Sequence, residues 1–208
     1  MRLLLLTVLM LSFLLSGCLS PLRLAYKKPI ASDFEPIKCM QIGRQNLSSR
    51  QWQAIKEAAS DVCDIFADSE FKEQISPKTW LASCEKKRGK RDIISGKEIY
   101  ALLTAKPQRF SVYAHKLHDA EGETDNDEDN PDNNIITIDP SLIEDWYSAD
   151  DTVKSKLINV IAHEYVHLLS DRFLDYDNKI PKGCNNDILI SYGTGDLAEE
   201  IRLKRRQK

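Results

Sequence analysis

The residues with the most evident chemistry are His163, Glu164 and His167, in the run Val160-Ile161-Ala162-His163-Glu164-Tyr165-Val166-His167. The chain has four histidines, and two of them fall here. A spacing of four places both imidazoles on one face of a helix, where they can hold a single ion. Zinc accepts such nitrogens at about 2.0–2.1 Å. Glu164 lies one residue on, about 100° around a helix of 3.6 residues per turn. From there it can take a proton from water on the ion and return it to a leaving group.

That chemistry requires a helix, and the sequence predicts one from about Ala149 to Leu174. Asp150 and Asp151 suit its N-terminus. Leu157, Ile161, Val166 and Leu168 give it apolar faces for a core. Upstream, Trp52, Ile55, Ala59, Val62 and Phe66 recur in steps of three and four, predicting a helix over Ser49 to Ala67 with Ser48 or Ser49 as cap. Ser95 and Glu98 have capping-box spacing and open a further helix to about Ala105, stopped by Pro107. Arg109 to Leu117 and Asn134 to Asp139 read as strands. The expected fold class is α+β: a short sheet packed on the site-bearing helix, followed by one more helix.

The H-E-x-x-H run in this setting resembles the zincin metallopeptidases, over about Asn134 to Leu174 and the helix after it. The resemblance implies zinc as cofactor, His163 and His167 as ligands, Glu164 as catalytic base, and a peptide or protein substrate. It also implies that the Asn134–Asp139 strand, or the one before it, borders the cleft and holds an extended substrate by strand addition. The metzincin continuation, with Gly and His, is absent from Leu168-Leu169-Ser170-Asp171-Arg172-Phe173. Gluzincins supply a Glu from an early turn of a following helix. On that pattern Thr194 caps a helix, Gly195 and Ala198 let it approach the first, and Glu199 is the third metal ligand. Asp196 is the alternative, because Gly193-Thr194-Gly195-Asp196 resembles the aspzincin G-T-x-D, although the Tyr and Gly expected after that Asp are missing. Glu200 ranks third. Asp171, four after His167, can orient a ligand imidazole or pair with a nearby base. Tyr192 is a core residue or an oxyanion donor. His115 and His118 are three apart on a strand, face opposite ways and read as surface residues.

The termini and composition set the context. Residues 1–17 contain 12 apolar residues and one charge, Arg2; this run is shorter than the roughly 20 residues needed to span a bilayer. It reads as a signal peptide. Leu15-Ser16-Gly17-Cys18 resembles a bacterial lipobox, which implies cleavage before Cys18 and lipidation of Cys18. Leu19, rather than Asp, then implies sorting to an outer membrane, facing the periplasm. Residues 18–36, with three Pro, read as a tether, and 37–208 as the zincin-like domain. Residues 119–134 hold eight acids and no base and read as a solvated acidic loop. Cys39, Cys63, Cys84 and Cys184 suggest two disulfides in an oxidising compartment, with three possible pairings.

The formal charge is −3, which argues against a nucleic-acid binder. Without the first 17 residues and the acidic loop, 28 bases face 24 acids, so the body is about +4. Two rivals accompany the peptidase reading. One is a non-catalytic envelope lipoprotein that uses the scaffold to bind a partner. The other is a metal-dependent hydrolase of non-peptide envelope material.

Overall fold

The computed structural model describes residues 33–87, 90–127, 129–175, 184 and 189–207. The expected signal peptide, Cys18 and most of the expected tether lie outside these residues. Among the described residues, no helix is long and apolar enough to cross a membrane.

Among the described residues the architecture is α+β, with a five-stranded mixed sheet, a two-stranded sheet and six α-helices. The strands are β1 (Phe34–Ile37), β2 (Met40–Gln45), β3 (Thr79–Lys87), β4 (Lys90–Ser95), β5 (Gln108–Ala114), β6 (Gly122–Asp125) and β7 (Ile135–Ile138). The helices are α1 (Ser49–Phe66), α2 (Ser69–Ile75), α3 (Gly96–Ala105), α4 (Pro140–Asp145), α5 (Asp151–His167) and α6 (Ile190–Arg206). The large sheet has the order β1-β2-β5-β7-β6. Its inner pairs, β2 with β5 and β5 with β7, are parallel, whereas both outer pairs are antiparallel. β3 and β4 form a separate hairpin.

The predicted helices form where caps and apolar spacing agree. Ser48 accepts from the Gln51 backbone, and the Gln51 side chain returns the bond, closing a capping box on α1. Ser95 accepts from the Glu98 amide at the start of α3. Asp150 caps α5 through Thr152. α5 lies at the centre of the core: Leu157, Ile158, Ala162, Tyr165 and Val166 are fully buried. The Tyr165 hydroxyl donates to the Cys39 carbonyl and accepts from the Gln108 amide, so it ties α5 to β2 and β5. Burial pushes its ionisation up to about 12.

Three boundaries differ from expectation. β1 takes Phe34–Ile37, so the folded body begins within the expected tether. α5 stops at His167 rather than continuing to Leu174. The apolar run goes on, but Phe173 is buried through a turn, and Leu174 donates its amide to Ala82 of β3. The acidic segment is also more than a loop. Gly122 and Thr124 face inward while Glu121, Glu123 and Asp125 are exposed, and this period of two makes β6 the last strand of the sheet. The disulfides pair Cys39 with Cys63 and Cys84 with Cys184.

Candidate metal centre

α5 presents His163 and His167 side by side at its C-terminal end, where the last turn also favours cationic side chains. Their Nε2 atoms are 3.2 Å apart. The third group at this point is Asp175. Its Oδ2 lies 2.9 Å from Nε2 of His163 and 3.4 Å from Nε2 of His167. Three donors bound at about 2.0–2.1 Å around a tetrahedral ion are separated from one another by about 3.3 Å. The triangle in this protein, with edges of 2.9, 3.2 and 3.4 Å, has that size. Two imidazoles and a carboxylate thus form a group that can hold a metal.

The surrounding bonds fix the donors. The carbonyl of Phe173 accepts from Nδ1 of His167 at 2.5 Å, which leaves Nε2 of a neutral His167 with its lone pair towards Asp175 and His163. Ser191, in the first turn of α6, donates to the other oxygen of Asp175 at 2.7 Å. The Tyr192 ring stands edge-on to His163, with centroids 4.5 Å apart. The backbone beside Asp175 is anchored too: Leu174 bridges to Ser83 of β3, and the neighbouring Cys84 is bonded to Cys184.

Glu164 is 6% exposed, with Oε1 4.0 Å from Nε2 of His163. Thr124 of β6 donates to its Oε2 at 2.7 Å. β6 comes this close because residue 122 is glycine: a Cβ there would lie 2.7 Å from both Oε1 of Glu164 and a methyl of Val160. Burial raises the proton affinity of Glu164, against the opposing pull of both imidazoles and the Thr124 hydroxyl. Burial also disfavours charge on Asp175, but the hydrogen bonds from the two histidines outweigh it and hold this carboxyl well below the usual range. For His167, burial opposes the charged form. The Asp175 carboxylate overcomes that and raises its pKa.

Glu199 and Asp196 are not at this centre. Glu199 accepts from Ser155 and Asn159, and Asp196 also accepts from Asn159, one to two turns before His163 on α5. The reason is the start of the helix. α6 begins at Ile190 rather than at Thr194, and it runs antiparallel to α5, so its first turn meets the histidines. Glu199 is seven residues beyond Tyr192, about 10 Å further along the axis at 1.5 Å per residue. Gly195 does serve the close approach of the two helices, since a Cβ there would meet Oδ1 of Asn159 at 2.5 Å. Glu200 is exposed and paired with Lys204. His115 and His118 are exposed, and His115 stacks on Tyr113 beyond the end of β5.

Asp175 was missed because it is eight residues past the motif in a stretch with no periodicity. The signal that could have found it is the end of the helix, marked by Ser170-Asp171, which brings the chain back under His167.

The centre lies in a cleft with two lobes. One, of about 630 Å³, is lined by Thr124, His167, Asp171, Phe173 and Leu174 among others. The other, of about 420 Å³, is lined by Asn159, Val160, His163 and Tyr192 among others. Ala120, Gly122, Glu164 and Asp175 border both. No protein-family model, curated protein or solved structure matches the chain.

Proposed function

We propose that the protein is a zinc-dependent peptidase of the cell envelope, anchored to the membrane by a lipid on Cys18. The observation that supports it best is the triangle of His163, His167 and Asp175 with the buried carboxylate of Glu164 beside it. The nitrogen and oxygen donors suit zinc, and the same set also suits ferrous iron. The placement of Glu164 and a cleft continuing on both sides of it favour hydrolysis of an extended chain.

In this reading His163, His167 and Asp175 hold the ion, which supplies the positive charge that polarises a carbonyl and acidifies water. Glu164 takes the proton of the attacking water and passes it to the departing amine nitrogen. Thr124 keeps one oxygen of Glu164 occupied, so the other faces the reacting atoms. Ser191 holds Asp175 in its ligating orientation. The strand that bounds the cleft is β6; the two strands expected there, Asn134–Asp139 or the Arg109–Leu117 strand before it, became β7 and β5 inside the sheet. As the terminal strand, β6 can pair with an extended peptide through its outer edge.

The test is metal content combined with cleavage. The purified protein should carry one zinc per chain and cut unstructured peptides. Glu164→Ala should keep the metal and lose cleavage by a factor on the order of 10² to 10⁴. Protein that refuses zinc, or cleavage that is unchanged in Glu164→Ala, defeats the proposal.

A further inference from the structure

Two basic runs stand out in the chain, and they differ in what stands opposite them. Along the end of α6 each base has an acidic partner: Arg202 meets Asp61, Lys204 meets Glu70 and Glu200, Arg205 meets Asp68, and Arg206 meets Asp151. The other run is Lys86-Lys87-Arg88-Gly89-Lys90-Arg91, five bases in six residues, where β3 passes into β4. The strand register sets Lys86 opposite Arg91 and Lys87 opposite Lys90. Residues directly opposite each other have Cβ atoms about 4.5–5.5 Å apart, and like charges there destabilise the pair. Of the two acids that flank the run, Glu85 and Asp92, the second is bound by Arg172 through two nitrogens, at 2.7 and 3.2 Å.

The same hairpin exposes an apolar side chain. Ile93 is 58% exposed, more than any other large hydrophobic among the described residues. Arg91 is exposed as well, whereas Ile94 is buried, and the alternation puts Arg91 and Ile93 on one outer face. A base beside an aliphatic side chain on an exposed strand suits a charged surface with an apolar layer beneath it. The hairpin is also the part of the fold that holds the segment before Asp175. The carbonyl of Ala82 accepts from the Leu174 amide, and Asp92 binds Arg172. From Ala82 to Lys87 the strand runs on by about 17 Å.

We propose that the end of the β3–β4 hairpin docks on an anionic phospholipid surface, with Lys86, Lys87, Lys90 and Arg91 among the headgroups and Ile93 at the acyl boundary. This goes beyond the peptidase reading and rests on it only for the lipid anchor. Cys18 lies 15 residues before Asp33, so the tether reaches at most about 50 Å and keeps the body beside the membrane. A second, weak contact at that distance acts as an intramolecular one. Each base at an anionic surface contributes about fivefold, and salt weakens the attraction. Docking through this hairpin also fixes how far the cleft stands from the bilayer.

The experiment uses the full chain reconstituted with vesicles of phosphatidylcholine alone, or of equal parts phosphatidylcholine and phosphatidylglycerol. An amine-reactive reagent labels the lysines, and mass spectrometry reads each one. Lys106 and Lys116, both exposed, are the internal reference. In low salt the acidic vesicles should slow labelling of Lys86, Lys87 and Lys90 by about fivefold or more against that reference, and high salt should restore it. Phosphatidylcholine alone should give no such protection. Arg91→Gln with Ile93→Ser should remove most of the protection while far-ultraviolet circular dichroism stays unchanged. Equal labelling with the two kinds of vesicle overturns the proposal, and so does protection that survives the double variant. Protection by soluble polyglutamate but not by acidic vesicles overturns it too and assigns the hairpin to an acidic protein. Cys18→Ala separates the two readings. Flotation with phosphatidylcholine vesicles that is indifferent to this change removes the anchor, while labelling against acidic vesicles still decides the hairpin.

Discussion

His163, Glu164 and His167 occupy little more than one turn of α5, whereas Asp175, Ser191 and Thr124 reach the same point from three separate segments. The first group is positioned by helix geometry alone once α5 forms. The second depends on long-range packing: β3 holds the Leu174 backbone, the first turn of α6 brings Ser191, and the end of the sheet brings Thr124. A centre built this way has a rigid half and a borrowed half. Damage to remote elements should therefore reach the metal through Asp175 before it reaches the histidines.

The largest effect expected from this asymmetry comes from the two disulfides. In the chain-entropy view, a cross-link closing 100 residues stabilises by about 4.7 kcal/mol, and one closing 24 residues by somewhat over 3 kcal/mol. Cys84→Ser with Cys184→Ser should thus cost more stability than Cys39→Ser with Cys63→Ser in urea unfolding. Zinc affinity sharpens the contrast. The Cys84–Cys184 bridge starts two residues after Ala82, which fixes Leu174, so its loss should weaken zinc binding by about tenfold. Loss of Cys39–Cys63, which ties the β1–β2 turn to α1, should leave zinc affinity within a factor of two. Equal effects on zinc would show that the borrowed half is not held from β3.

A more local contrast sets Asp175 against Glu199. Asp175→Asn should weaken zinc binding by at least 100-fold, beyond the 10- to 100-fold typical of a group that only supports a ligand. Glu199→Gln should leave zinc stoichiometry and affinity unchanged, because its partners are Ser155 and Asn159. Competition titration with a chromogenic chelator reads both. A reversed result would restore Glu199 as the ligand and require α6 to shift by about two turns.

The same division explains what the sequence made legible. The helix of the motif, the acids at its N-terminus, the small residue that the close approach needs at 195, and both strands flanking the acidic segment were legible in the sequence. Asp175, the disulfide pairing and the edge strand β6 were not, because each is decided by partners far along the chain. β6 is the sharpest case. Its acids dominate the composition and read as a solvated loop, while the informative residues are Gly122 and Thr124, small and alternating on the face that meets Glu164. The helix α6 shows the same failure in register: Thr194 resembles a cap, yet it is buried four residues inside a helix that begins at Ile190.

The smallest predicted effect lies on the bond that joins the two halves, from Thr124 to Glu164. Burial raises the pKa of Glu164, and the Thr124 hydroxyl is one of the groups lowering it. Thr124→Val removes that opposition at nearly constant shape, so the folded-state pKa of Glu164 must rise further. A base works only when deprotonated, and cleavage falls as pH drops through its pKa. The acid limb of kcat/KM should therefore move to higher pH in Thr124→Val, by about one unit for a hydrogen bond to a charged group worth about 1.5 kcal/mol. Thr124→Ser keeps the hydroxyl and should return the limb to its original position. KM should change little in either variant, since Thr124 touches the base rather than the bound chain. An unmoved acid limb in Thr124→Val would mean that β6 only roofs the cleft and that Glu164 is held from α5 alone.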